Sequence, residues 1–225
     1  IWKDEFKNMP LYARASFKTY DNEVVMLKVA LSPTSMEGAY ANMAAEMPGW
    51  DFDKVAEDAD RKWNEELSRI LIRTSDEDTK KIFYTALYHT MIAPSTFCDA
   101  DGSISYTTFS LWDTYRAAMP LYSIFQTEHY SDMIQTMLAI CDEQGKLPVW
   151  HLHGCETNCM VGNPGIIPVA DAIVKGFDGF HPYLEFEAMC ASAFKRDRGQ
   201  DHRMKYGYIP CDLFNESVAY DLEYA

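Results

Sequence analysis

Residues 53–71, DKVAEDADRKWNEELSRIL, repeat their apolar side chains with the period of an α-helix. Val55, Ala59, Trp63 and Leu67 recur at every fourth position, and most of the residues between them are charged or polar. This spacing places the apolar side chains along one face of a helix and the charged side chains on the other faces. The stretch therefore predicts an amphipathic helix that packs against other elements through one side.

Helical periodicity extends over most of the chain after residue 35, and glycine and proline mark several of the breaks between helical stretches. Successive helices joined by irregular loops predict a mainly α fold built from antiparallel helical hairpins. A helical bundle and a toroid of paired helices fit this pattern equally well. Besides the helix at 53–71, we predict helices at about 35–46, 77–91, 110–126, 129–144, 168–177, 181–195 and 215–225.

The first part of the chain has the period of β-strands instead. Residues 11–20, LYARASFKTY, alternate apolar and polar positions, and residues 23–32, EVVMLKVALS, follow after the turn-forming pair Asp21-Asn22. The pattern predicts a β-hairpin. Because a lone hairpin is only marginally stable in water, we expect it to be the last hairpin of a β domain and the chain to be a segment of a longer protein.

The composition limits the possible partners. The formal net charge of −14 at pH 7 would repel nucleic acid and anionic membrane surfaces. The sequence contains no run of about 18 consecutive apolar residues, the length that a membrane-spanning helix needs. These features argue against nucleic-acid binding and membrane insertion, and they leave neutral ligands and divalent cations as candidates.

Residues 106–116, YTTFSLWDTYR, form the first segment with candidate functional residues. Ser110 is placed to cap the predicted helix, with Trp112, Asp113 and Arg116 in its first two turns. A carboxylate beside an indole suits a sugar, since the carboxylate accepts hydrogen bonds from hydroxyls while the ring packs on apolar C–H faces. The alternative is an i,i+3 ion pair between Asp113 and Arg116, with Trp112 in the core.

Residues 147–163, LPVWHLHGCETNCMVGN, form the second segment. Glu156 could bind sugar hydroxyls or act as a carboxyl catalyst, or its carboxylate could satisfy backbone N–H groups of the loop. The segment also contains two histidines and two cysteines, which are zinc-ligand types, but the spacing H-x-H-x-C-x₃-C matches no common structural zinc pattern. These four residues are His151, His153, Cys155 and Cys159.

Residues 207–225 form the third segment, in which Asn215 is placed to cap the predicted last helix. Asp212 and Glu216 could contribute to a site, although a solvated helix terminus is the simpler interpretation. The sequence has no Gly-rich phosphate loop, no nucleophile elbow and no H-E-x-x-H pattern. Phosphoryl transfer, α/β-hydrolase chemistry and zinc proteolysis are therefore disfavoured.

Several ordered strings resemble the bacterial glycoside hydrolase family of exo-α-mannosidases numbered 92. The similarity runs from about residue 10 to residue 225, and many ordered strings are more specific than any single motif. The strings are ANMAAEMPGWDFD, IFYTALYHTMIAPSTFCDADG, YTTFSLWDTYRAAMPL, LPVWHLHGCETNCMVG, IPVADAIVKGF, GYIPCD and ESVAYDLEYA.

The resemblance implies both a fold and an activity. Residues 1–50 would be the end of an N-terminal β-sandwich domain with a connecting helix, and residues 51–225 the first half of an (α/α)₆ toroid. The family hydrolyses terminal α-mannosides with inversion and depends on Ca²⁺, so we expect mannose-containing glycans as partners, with an α-1,2 linkage, and Ca²⁺ as cofactor. The family resemblance also implies export to the periplasm, the cell surface or the medium.

The resemblance also assigns roles to individual residues. Asp113 is implied to contribute to the mannose subsite with support from Trp112 and Arg116, and Glu156 is implied to line the same end of the toroid. The strings that resemble the family's general acid, its Ca²⁺-binding Asn-Glu pair and its Asp base are absent from this chain. Glu156 is therefore a reserve catalytic candidate, no metal ligand is assigned, and we expect the segment by itself to be inactive.

Two departures from the family pattern affect the expected linkage preference. Only Ser103-Ile104-Ser105 separate the DADG and YTTFS strings, and Asn163-Pro164 stand where many members have histidine. Two other functions stay open: another (α/α)₆ glycoside hydrolase that acts on different sugars, and a carbohydrate-binding protein without catalytic residues.

Overall fold

The computed structural model describes residues 14–102 and 104–225. Most of these residues are helical, which confirms the mainly α prediction. The helices are α1 (Met36–Glu46), α2 (Phe52–Leu67), α3 (Glu77–Thr90), α4 (Leu111–Thr114), α5 (Ala118–Phe125), α6 (Thr127–Gln144), α7 (Ile166–Lys175), α8 (Pro182–Ala193), α9 (Gln200–Tyr206) and α10 (Ser217–Tyr224). The strands are β1 (Ser95–Thr96), β2 (Tyr106–Thr107), β3 (Phe109–Ser110), β4 (Trp150–Leu152) and β5 (Cys155–Glu156).

Local side chains fix several helix ends. Ser35 Oγ accepts a hydrogen bond from the Gly38 N–H at 2.9 Å, and Asp51 Oδ1 accepts one from the Lys54 N–H at 3.0 Å. Such caps satisfy backbone donors that have no partner within the helix. At the other end of α6, Gly145 has a φ of 74°, a left-handed conformation that glycine adopts without a steric penalty.

The buried core lies where α5, α6, α7 and α8 pack together. Tyr122, Tyr130 and Ile134 are fully buried there, and the Tyr130 hydroxyl donates to the Pro168 carbonyl at 3.0 Å. Leu111 extends the same core to the start of α4. Burial of these apolar side chains is the main stabilising contribution to this part of the fold.

Helix α2 forms as predicted, but its apolar face is not buried among the described residues. Trp63 makes an edge contact with Tyr88 of α3, at 4.7 Å between ring centroids, and remains 38% exposed. Ion pairs on its surface support the helix, for example Lys54–Asp58 at 2.9 Å. The prediction that α2 packs through one side is therefore confirmed in part, at Trp63 and at the partly buried Leu67.

The predicted hairpin is wrong for the residues that the structure describes. The turn at Asp21-Asn22 is present, with the Glu23 N–H donating to the Tyr20 carbonyl at 3.1 Å, but residues 14–32 contain no strand. Leu27 is 84% exposed, and few apolar neighbours are available to hold two strands together. Positions 11–13 of the predicted hairpin lie outside the described residues.

The predicted helix at 110–126 is divided in two. Ser110 belongs to strand β3, and the backbone leaves the helical region at Ala117, where φ is −141°. A continuous helix would require the nitrogen of Pro120 to donate to the carbonyl of Arg116, and proline has no N–H. Starting a new helix at Ala118 places Pro120 in the first turn, where no such donor is needed.

Helix α9 and the short strands were not predicted, because their periodic patterns span too few residues to be recognised.

In the parts of the chain that the structure covers, no helix combines the length and the apolar character needed to cross a bilayer.

Glu185 of α8 has a buried carboxyl group whose hydrogen-bonding capacity is not fully satisfied by the described residues. The residue is 1% exposed, and its Oε1 atom has no hydrogen-bond partner among the described residues. Burial raises the pKa of the carboxyl group, and nearby His181 opposes this effect. The folded protein therefore binds this proton more tightly than the unfolded chain does, so the contribution of Glu185 to stability is fully present below its unfolded-state pKa and is lost as pH rises through the folded-state pKa.

We expect E185Q to increase the free energy of unfolding of the intact protein by on the order of 1 kcal/mol at neutral pH. It should also flatten the pH dependence of the melting temperature above about pH 4, the ordinary pKa range of a glutamate carboxyl group. E187Q is the control, because Glu187 is exposed on the same helix. Equal pH profiles for wild type and E185Q would contradict this account.

Candidate functional site

A three-stranded antiparallel sheet brings the first two candidate segments together. Strand β4 lies between β3 and β5, with Ser110 opposite Trp150 and His151 opposite Glu156. The Leu111 N–H also donates to the Val149 carbonyl at 3.3 Å. The start of α4 is therefore a neighbour of the loop at residues 150–163, which we name the Glu156 loop.

Asp113 lies exposed in the single turn of α4. The Ser110 hydroxyl donates to Asp113 Oδ2 at 2.5 Å. The prediction that Ser110 caps the helix is wrong, because its side chain binds this carboxylate and makes no bond to a helix N–H group. Asp113 Oδ1 accepts no hydrogen bond from the described residues, so it is available to accept one from a ligand hydroxyl.

Trp112 and Arg116 pack together beside Asp113. Trp112 is partly buried against a small apolar cluster that includes Val161 and Ile209. The Arg116 guanidinium carbon lies 4.9 Å from the centroid of the Trp112 ring. The alternative ion pair between Asp113 and Arg116 does not form, since α4 ends at Thr114 and the regular i,i+3 spacing is lost.

Glu223 of α10 is a site residue that sequence reasoning missed. Its Oε1 atom accepts from the Tyr115 hydroxyl at 3.0 Å and lies 3.4 Å from Arg116 Nη2. Burial raises the pKa of the Tyr115 hydroxyl, and the hydrogen bond to Glu223 adds to this effect. A Cβ at Gly162 would lie only 2.9 Å from Glu223 Cγ, so this close approach favours glycine. Only the three-dimensional packing identifies Glu223, since its sequence context indicates no more than a helix.

Glu156 binds the backbone of its own loop. Its Oε2 atom accepts from the Val149 N–H at 2.7 Å, and its Oε1 atom accepts from the N–H groups of Trp150 at 3.0 Å and Asn158 at 2.7 Å. Both carboxylate oxygens are therefore engaged as acceptors. This geometry corresponds to the structural alternative considered for Glu156, in which the carboxylate satisfies loop N–H groups.

The histidines and cysteines of the Glu156 loop do not assemble into a metal site. No group of three or more His, Cys, Asp or Glu side chains within residues 14–102 and 104–225 could hold a metal ion. His151 is buried in β4, and this burial lowers the pKa of its ring. Cys155 and Cys159 are exposed free thiols.

The third candidate segment lies at the start of α10. Asp212 and Glu216 are exposed and line a cavity of about 450 Å³ together with Phe214 and Tyr220. Asn215 does not cap the helix, because α10 begins at Ser217 and Glu216 precedes it with a left-handed φ of 57°. Phe214 and Tyr220 connect this cavity to Trp112, because both belong to the apolar cluster against which Trp112 packs.

A larger cavity, of about 720 Å³, lies between α2–α3 and α5–α6. Its walls include Trp63, Tyr88, Gln126 and His129, and they contain none of the predicted site residues. The strand pairing joins the segments that carry Asp113 and Glu156, but neither of these residues nor Trp112 lines this cavity.

Comparison with known proteins identifies the family. Residues 38–225 match the model of the glycosyl hydrolase family 92 catalytic domain. A curated relative from Arthroderma benhamiae, an uncharacterized secreted glycosidase, is 28% identical over 174 residues, which are 75% of this chain and 20% of the relative.

Two solved structures from Bacteroides thetaiotaomicron show the same fold. The family GH92 alpha-mannosidase BT3965 is 36% identical with a TM-score of 0.81, over 86% of this chain and 28% of that protein; it has also been solved in complex with mannoimidazole. The family GH92 inverting mannosidase BT2199 is 27% identical with a TM-score of 0.81, over 86% of this chain and 29% of that protein.

The chain spans less than a third of the length of each of these relatives. The family model nevertheless covers most of the chain, including the start of α4, the Glu156 loop and α10. The chain therefore belongs to glycosyl hydrolase family 92.

Proposed function

We propose that the protein containing this chain is an exo-acting α-mannosidase that releases terminal α-linked mannose, in α-1,2 linkage, from glycans. The observation that carries this proposal is the shared fold and sequence with BT3965, which is described as an alpha-mannosidase and was solved with mannoimidazole. Export from the cell is part of the proposal, supported by the curated relative that is described as a secreted glycosidase.

The residues at the start of α4 would bind the mannose ring. Asp113 presents an exposed carboxylate with one oxygen available to accept from sugar hydroxyls, while Ser110 fixes the other oxygen at 2.5 Å. The part of the Trp112 indole that neither Arg116 nor the apolar cluster covers would pack against sugar C–H groups. Arg116 packs on Trp112 and pairs with Glu223, which holds the indole in place.

We further propose that hydrolysis proceeds with inversion, supported by the description of BT2199 as an inverting mannosidase. Inversion requires a general acid and a general base that are far enough apart to admit a water molecule. Glu156 suits neither task well, since backbone N–H groups occupy both of its oxygens. In this proposal Glu156 anchors its loop, and Asp113 and Trp112 bind the sugar.

Ca²⁺ dependence is also part of the proposal and is supported by the family resemblance. The described residues provide no group of carboxylates and histidines that could hold the ion. The roles proposed for Asp113, Trp112 and Glu156 therefore involve no coordination of a metal ion.

We expect the intact protein to release mannose from α-1,2-mannobiose, initially as the β-anomer, when the reaction is followed by ¹H NMR. A calcium chelator should reduce the rate, and added Ca²⁺ should restore it. Initial release of the α-anomer would contradict inversion. Binding of the disaccharide without hydrolysis would favour a carbohydrate-binding protein, and hydrolysis of other sugars alone would favour a different glycoside hydrolase.

We expect D113N to lower kcat/KM for α-1,2-mannobiose by about ten- to hundredfold, since a hydrogen bond to a charged group contributes about 1.5–3 kcal/mol. D142N is the matched control, because Asp142 is an exposed aspartate of α6 with no part in the proposed site. Equal kcat/KM values for D113N and D142N would show that Asp113 does not bind the sugar.

A further inference from the structure

Lys146 is a buried lysine at the base of the Glu156 loop. The residue is 5% exposed and lies between the end of α6 and strand β4. Its Nζ donates to Asn158 Oδ1 at 2.5 Å and to Asp197 Oδ2 at 3.4 Å. Burial lowers the pKa of this ammonium group, and the nearby Asp197 carboxylate opposes this effect.

Arg198 reaches the same asparagine from another direction. Its Nη1 donates to the Asn158 carbonyl at 2.5 Å, and its guanidinium lies over the ring of Tyr220, 5.2 Å from the centroid. The Tyr224 hydroxyl donates to the Arg198 carbonyl at 3.2 Å. The connection between α8 and α9 and the helix α10 are thereby both tied to the Glu156 loop.

Asn158 has a backbone conformation that needs support. Its φ is 51°, in the left-handed region that asparagine adopts more readily than most residues, though less readily than glycine. Its N–H donates to Glu156 Oε1 at 2.7 Å. Two hydrogen bonds hold Asn158 in this conformation, one from Lys146 to its side-chain oxygen and one from Arg198 to its carbonyl oxygen. In this conformation the Asn158 N–H points at the Glu156 carboxylate.

The contacts continue from Asn158 to the residues proposed to bind the sugar. Glu156 accepts from the Trp150 N–H, and Trp150 pairs with Ser110 across the sheet. Ser110 in turn donates to Asp113. A change at Asn158 would thus reach Asp113 through the hydrogen bonds of Glu156, the pairing of β4 with β3 and the hydrogen bond from Ser110.

We infer that Lys146 and Arg198 are positioning residues of the mannose-binding site: together they fix Asn158, and through Glu156 and Trp150 they set the position of Asp113. The effect that we expect these two residues to have on catalysis rests on the proposed function. The ordering of the Glu156 loop by the side chains of Lys146 and Arg198 does not depend on which sugar is bound.

Amide hydrogen exchange of the intact protein tests the positioning role directly. K146M should accelerate exchange of the Val149, Trp150 and Asn158 amides by at least about tenfold, because their acceptor Glu156 loses its fixed position. K175M is the matched control: Lys175 Nζ also has two partners, Ser123 Oγ and Asp171 Oδ2, both at 2.7 Å, on α5 and α7. Equal exchange in K146M and K175M would overturn the inference.

Kinetics of two Asn158 variants test the link to catalysis. Glycine adopts a φ of 51° freely, whereas alanine does so at a steric penalty. We therefore expect kcat/KM for α-1,2-mannobiose to decrease from wild type to N158G to N158A, with a loss of about ten- to hundredfold for N158A, mainly in kcat. K175M should match wild type.

The outcomes separate this inference from the proposed function. Failure of the wild-type protein to release mannose would overturn the proposed function, while the exchange experiment would still decide the positioning role. Normal kcat/KM in both N158A and K146M would overturn the positioning role even if mannose is released.

Discussion

The carboxylate of Glu156 stabilises the part of the molecule on which the candidate site depends. It accepts hydrogen bonds from the N–H groups of Val149, Trp150 and Asn158, at the open end of the β4–β5 hairpin, where no neighbouring strand among the described residues supplies acceptors to them. Partly buried N–H groups without acceptors are costly, so this one side chain stabilises the β4–β5 hairpin. Strand β4 of this hairpin also pairs with β3, which places Trp150 opposite Ser110, whose hydroxyl holds Asp113.

The candidate site lies at the edge of the helical core, and this position explains how an exposed carboxylate can be held in a defined place. Leu111 and Val149 are fully buried and directly precede Trp112 and Trp150 in the sequence. Their backbone hydrogen bond, at 3.3 Å, joins the two site segments to the packed interior. Binding groups that extend from a packed core lose less conformational freedom when they take up a ligand.

Features set by neighbouring residues could be predicted from the sequence, and features set by distant residues could not. Ser35 and Asp51 cap their helices through bonds to the residue three positions later, so the starts of α1 and α2 follow from local patterns. The break before α5 had a local signal, Pro120, but the 3.6-residue periodicity concealed it. The contact between Glu223 and Tyr115 joins distant parts of the chain, and no periodic pattern reports such a pairing.

The central claim is that Trp112 and Asp113 bind a mannose ring beside the Glu156 loop. A crystal structure of the intact protein with bound mannoimidazole would test it most directly. We expect the inhibitor's hydroxyl groups within hydrogen-bonding distance of the Asp113 carboxylate, with its ring against Trp112. An inhibitor bound elsewhere, in contact with neither side chain, would contradict the claim.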